Sequence, residues 1–247
     1  MKRRHIVLFV SLLFVVALGS VAYWRPGAAT AQGVLVQDYL DQEKTIQYIG
    51  NVDDTGSPFG VVMYDSSRPE SLVHYMEASR FQGQKLISSG AKELYVWVTF
   101  RRPMNIDAFE ALMKQNGLAV KRYTLRVIGQ KGDRIGISGG PEQDHLVPAD
   151  QIDSAMNAIQ GHESNQAQLQ GVFEVVGVVS AEGYQALIED PRVFLVDVTG
   201  TLIYRDQNFQ RKTNMGWKEF VDHFQIDGGP GGPFWYVEDF GLGASGN

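Results

Sequence analysis

"AFEALMKQNGLAVKRYTLRVI" spans Ala108–Ile128, and "GYQALIEDPRVFLVDVTGTLI" spans Gly183–Ile203. The two align without a gap at a spacing of 75 residues. Phe109 falls on Tyr184, Leu112 on Leu187, Met113 on Ile188 and Ile128 on Ile203. In each copy the three apolar residues sit at i, i+3 and i+4, so they share one face of a helix. A helix-stopping signal follows in both. Asn116-Gly117 offers the left-handed conformation that helix ends use. Asp190-Pro191 pushes the residue before proline out of helical geometry.

Working outward, "ELYVWVTF" at 93–100 reads as a strand that "RRPMN" breaks, and Asn105 then caps the first helix. "LAVKRYTLRVI" alternates as the returning strand. In the second copy "GVFEVVGVV" is a strand and Ser180 a helix cap, with Glu182 in the first turn, where the helix dipole favours an acid. "VFLVDVTGTLI" is its returning strand. Two β-α-β units predict an α+β fold: a ferredoxin-like split βαβ sandwich, with an antiparallel sheet and both helices on one face. Phe109, Leu112, Met113, Tyr184, Leu187 and Ile188 then pack side by side, each worth about 1.5–3 kcal/mol when buried.

The link between the halves, residues 129–170, is longer than a hairpin needs. It reads as a turn at "QKGD", an added strand "RIGIS", a helix "VPADQIDSAMNAIQ" and a polar linker "GHESNQAQLQG". Upstream, 32–92 forms a strand and helix extension. "VLVQDYL" and "FGVVMYD" are its candidate strands, and its helix is capped by Ser67, with Pro69 in the first turn and Gly90 after the end. The duplicated unit covers 93–204. Residues 205–247 form a Gly/Pro/aromatic-rich tail in which "GWKEFVDHF" is a short helix.

Residues 1–31 carry Lys2, Arg3, Arg4 and Arg25 and no acid. The 19 uncharged residues Ile6–Trp24 would span roughly 28 Å as a helix, close to the thickness of a bilayer core. The basic flank predicts an N-terminal anchor with the rest of the chain outside the cytoplasm. Ser20-Val21-Ala22 and Ala29-Thr30-Ala31 keep open a signal peptide that is cleaved, giving a secreted product. Beyond this segment 18 basic residues face 28 acidic ones, a net of −10, which disfavours nucleic acid as a partner. With no cysteine, disulfides, thiolate zinc sites and cysteine nucleophiles are all excluded.

The chemistry-bearing candidates are sparse. "GISGG" at 136–140 matches G-x-S-x-G, but Pro141 and a polar loop follow where a nucleophile elbow needs a helix. Asp144, His145, His162 and Glu163 bracket the inserted helix without a helical His spacing. Asp197 lies mid-strand among apolar neighbours and is expected in an ion pair or at an exposed edge, its repeat counterpart being Arg122. Arg101-Arg102 form a surface turn or an anion grip. "PFWYVEDF" clusters Phe234, Trp235, Tyr236 and Phe240, which are the candidate partner-binding residues unless the tail folds back on the sheet.

The expectation is an extracytoplasmic, non-enzymatic module that binds a protein or peptide through a sheet edge or face and the aromatic tail. It touches the membrane through its N-terminal helix and needs no cofactor, metal or catalytic residue. The alternatives are an extracytoplasmic hydrolase using Asp144, His145 and His162, and a small-ligand sensor using the 129–170 insertion.

Overall fold

Strand β4 (Glu93–Met104) is buried on both faces through Phe100, as the run of eight mostly apolar residues requires, and it sits next to the end of the larger of two sheets. The computed structural model describes residues 34–36, 46–53, 55–129, 132–142, 145–160, 167–227 and 232–244. The N-terminal apolar stretch lies outside the described residues, and among those residues no helix is long and apolar enough to cross a membrane. The fold is mixed α+β, with two antiparallel-rich sheets.

The larger sheet has five strands. In spatial order these are β6 (Arg134–Gly139), β5 (Ala119–Ile128), β7 (Gln168–Ser180), β4 and β8 (Val193–Asp197), and every neighbouring pair is antiparallel. The smaller sheet runs β1 (Val34–Val36), β2 (Ile46–Val52), β3 (Pro58–Tyr64) and β9 (Gln225–Asp227), the last pairing parallel with β3.

The repeat supplies helices α2 (Ile106–Gln115) and α4 (Ala181–Glu189). Their caps are the expected ones: Asn105 accepts from the Ala108 N–H and Ser180 from the Gly183 N–H. Phe109, Leu112, Met113, Tyr184 and Leu187 are buried in one core, and Phe109 meets Phe100 edge to face at 6.1 Å. Helix α1 (Pro69–Ser88) begins with Pro69 at its first position but is preceded by Arg68, while Ser67 bonds Asp65 and caps nothing. It docks on α4 where Gly83 meets the Tyr184 hydroxyl, a contact any side chain at 83 would block.

Two further sequence expectations fail for local reasons. Pro103 does not end β4. The strand runs on to Met104 with a register shift after Thr99, and an irregular ladder tolerates a residue without an N–H. Nearby, Gly171 has φ +124 and its α-carbon faces the Met104 carbonyl, so only glycine fits. The second returning strand stops at Asp197, whereas the sequence pattern carries it to Ile203. Helix α5 (Thr199–Arg205) takes over because the Asp197 carboxylate accepts the Thr199 N–H at 2.5 Å and the Thr199 hydroxyl at 3.2 Å, closing a turn.

The insertion forms β6 and α3 (Ala149–Gln160), with Ile152 packed on the core. The tail forms α6 (Gln207–Thr213), α7 (Trp217–His223) and α8 (Pro233–Asp239), followed by a 3-10 turn at Leu242–Ala244. Tyr95, on the same strand face as Trp97 and Thr99, lies edge-on to Phe220 and Phe224 and donates to the Phe224 carbonyl. The C-terminal segment therefore folds back over a face of the large sheet.

Candidate functional site

Helix α8 begins where the glycine-rich run gives way to Pro233, with Gly232 as its N-cap. Phe234 and Val237, three residues apart, point inward and are fully buried. Phe234 packs on Phe173 with ring centres 4.2 Å apart, and its N–H donates to Glu174 at 3.4 Å.

Beneath them lies Arg126, with no exposed side-chain surface. Its guanidinium carbon is 3.8 Å from the centre of the Trp235 ring, 4.5 Å from Phe173 and 4.8 Å from Phe234. One nitrogen, Nη2, pairs with Glu238 at 2.6 Å, while Nε and Nη1 have no hydrogen-bond partner. The ring faces stabilise the cation where acceptors are missing. Burial pushes the Arg126 pKa down and the Glu238 carboxylate opposes that. Arg134 completes the clamp, reaching Glu238 at 3.1 Å, Asp239 at 2.5 Å and the Trp235 ring at 5.4 Å. Two acids at a helix C-terminus oppose the dipole, and these two arginines offset them.

Two buried carboxylates occupy the same sheet face, because Trp97 is the ladder partner of Asp197 and Thr99 that of Glu174. Burial raises Glu174 to about 7, against the Phe234 N–H and the nearby Arg122 and Arg126 charges. Burial raises Asp197 to about 6, against its two bonds from Thr199. The Tyr75 hydroxyl also donates to Asp197. Tyr64 lies within the field of both acids. Its ring lies 5.0 Å from Tyr75 and 6.0 Å from Tyr236, and its hydroxyl is held far above the usual phenol range by burial, then by Tyr236, Glu174 and Asp197.

The aromatic tail residues therefore have different surroundings. Phe234 is interior, while Trp235, Tyr236 and Phe240 are half-buried along the outer side of α8, Tyr236 and Phe240 stacking at 6.3 Å. Asp197 does not meet Arg122, which instead donates to the Ile226 carbonyl at 3.2 Å. Arg101 and Arg102 hold the carbonyls of Leu242 and Gly243. "GISGG" is the last four residues of β6 and the residue after it, with the Ser138 hydroxyl 3.4 Å from that of Thr124. His145 is exposed in a bridge to Glu142, whereas Asp144, His162 and Glu163 lie outside the described residues. Among the described residues no three metal-ligating side chains converge.

Beside the clamp is the edge of the large sheet. β6 pairs with β5 on one side and with no described strand on the other. The Gly129 N–H donates to the Asp133 carbonyl at 2.8 Å, which sets the phase of the hairpin. Bonded and non-bonded pairs alternate from there, so Ile135, Ile137 and Gly139 bond inward to β5. Arg134, Gly136 and Ser138 then turn their backbone groups outward. A side-chain carbon at Gly136 would lie 3.6 Å from the Trp235 ring, so the tail helix flanks this edge. Comparison with family models, with curated proteins and with solved structures finds no match.

Proposed function

We propose that the chain is an exported, membrane-tethered module that binds an extended protein or peptide segment outside the cytoplasm and performs no chemistry of its own. The outer edge of β6 beside Trp235, which no described strand pairs, carries this proposal. Unpaired backbone donors and acceptors on an edge strand are a template for a further strand. Natural edges are commonly blunted by lysine, proline or a bulge, and Ile135–Gly139 contains neither a charge nor a proline. An added strand here lies against Trp235, with Tyr236 and Phe240 further along α8, and Phe234 is the anchor that fixes the helix. Half-buried Trp235, pinned by Arg126 and Arg134, provides contact area at low entropic cost.

We read the large sheet as the ferredoxin-like plan with one strand added. The order β5-β7-β4-β8 with all pairs antiparallel supports it, as does the shared core of α2 and α4. The basic, then apolar, N-terminal sequence supports the tether, since 19 uncharged residues match a bilayer.

The test is selection of peptides from a random library against the full chain, followed by affinity measurement with variants. Ser138→Pro removes an outward N–H, and Trp235→Ala removes the flanking ring. Each is expected to weaken a selected peptide by about tenfold or more. Binding is also expected to slow amide exchange at Arg134, Gly136 and Ser138. A library that yields no binder, or binders indifferent to both substitutions, overturns the proposal.

A further inference from the structure

At the opposite edge of the large sheet a groove of about 250 Å3 opens between α1, the end of α4 and β8. Its apolar floor includes Met76, Ile188, Phe194 and Val196, and Arg80 and Arg101 border it. This end of an acidic chain is locally basic, since Arg102 and Arg192 adjoin through the end of β4 and the backbone bond from Arg101 to Arg192.

The charges are unevenly satisfied. Asp190 is taken by Arg192, at 2.9 and 2.6 Å. Arg80 donates to the Ile188 carbonyl and Arg101 to the Leu242 carbonyl at 3.3 Å, and neither has a carboxylate within ion-pair distance among the described residues. Arg101 also lies 5.4 Å over the Phe194 ring, which holds its guanidinium at the groove. Each guanidinium has five N–H donors and uses one in these bonds, so several remain on each.

We propose that this groove binds a small organic monocarboxylate, its acid group held between Arg80 and Arg101 and its apolar body on Phe194, Val196, Met76 and Ile188. Guanidinium geometry suits a carboxylate, and the floor suits a short hydrocarbon. The volume lies below the usual 300–1,000 Å3 of ligand pockets, which limits the body to a few carbons. Glu189 on the same rim disfavours a dianion such as phosphate. The site stands apart from the β6 edge and does not depend on peptide binding there.

Calorimetric titration of the full chain in lipid discs, with empty discs as blank, uses hexanoate, hexanamide and inorganic phosphate as probes. Hexanoate is expected to bind saturably at millimolar concentration or below, with the amide and phosphate about tenfold weaker or worse. Arg80→Gln and Arg101→Gln are each expected to weaken hexanoate about tenfold, and Lys114→Gln, on an exposed helix end, to leave it unchanged. Because Arg101 also holds the C-terminal turn, Ile188→Trp serves as a second variant that fills the groove and abolishes binding while the melting temperature is kept. No saturable binding, equal binding of the amide or phosphate, or hexanoate binding that persists in Arg80→Gln and Ile188→Trp would overturn the proposal. Ser138→Pro and Trp235→Ala leave hexanoate affinity unchanged, so failure here and failure at the β6 edge are separable.

Discussion

The returning strands of the two repeats, β5 and β8, start from nearly the same apolar pattern and end differently. β5 runs ten residues to Ile128 and turns into β6, whose outer side pairs with no described strand. β8 runs five residues to Asp197 and stops, and its edge is covered by α1, where the Ser79 hydroxyl donates to the Val196 carbonyl at 3.1 Å. The residue that separates them occupies equivalent positions, Arg122 in one copy and Asp197 in the other. A long arginine leaves the strand and bonds the Ile226 carbonyl, so the ladder continues beneath it. A short carboxylate folds back on the Thr199 N–H and ends the ladder. The two counterparts thus accompany opposite outcomes: at Arg122 a strand that runs on and pairs with the added strand β6, and at Asp197 a strand that ends in a turn.

The largest effect is expected from removing that residue. Asp197→Ala leaves the Tyr75 hydroxyl and the Thr199 N–H buried without their acceptor, and costs about 4 kcal/mol in urea unfolding. Arg122→Ala, losing one part-buried bond, costs about 1 kcal/mol. Equal losses would mean that the two counterpart residues carry equal weight in the fold.

Taken one acid at a time, a somewhat smaller effect follows from pH. Burial pushes the folded Asp197 and Glu174 carboxyls up to about 6 and about 7, well above the ordinary carboxylate range of about 4. The folded state therefore binds more protons than the unfolded chain between these limits, and stability falls as pH rises from about 4 to above 7. The loss is on the order of 3 kcal/mol for each acid, at about 1.4 kcal/mol per pKa unit. Asp197→Asn and Glu174→Gln each flatten part of the curve. A stability that rises over this range contradicts the burial of both groups.

The repeat, the caps Asn105 and Ser180, the Asn116-Gly117 stop and the added strand β6 were all legible, because each is a local pattern of apolar period or turn chemistry. What escaped is non-local. Apolar alternation carries β8 through Ile203, since periodicity does not register a carboxylate bonding two residues ahead. Pro103 reads as a breaker until the register shift in β4 is known. Arg126 and Glu174 interrupt apolar runs in "LRVI" and "VFEVV", a readable sign of buried charge, yet their partners lie 112 and 60 residues away in α8. The glycine-rich tail carries no sign that Phe234 will stack on Phe173.

Ser79→Ala sharpens the covered edge. It leaves the Val196 carbonyl buried under α1 without its donor, an expected loss of about 1 kcal/mol. Since the adjacent residues Ser79 and Arg80 hold the carbonyls of Val196 and Ile188, Ser79→Ala also speeds amide exchange along α1 more than along β6.

The smallest effect belongs to the outer edge of β6. Proline removes one N–H, so its cost depends on where that N–H points. By the hairpin's phase the Ser138 N–H turns away from β5, and Ser138→Pro changes stability by less than about 1 kcal/mol. Amide exchange supplies the independent check, with Arg134, Gly136 and Ser138 unprotected and Ile135 and Ile137 protected in the wild type. Protection at all five would mean that another backbone already covers β6. Both ends of the repeat would then be closed, and the difference between Arg122 and Asp197 would concern only how each closure is made.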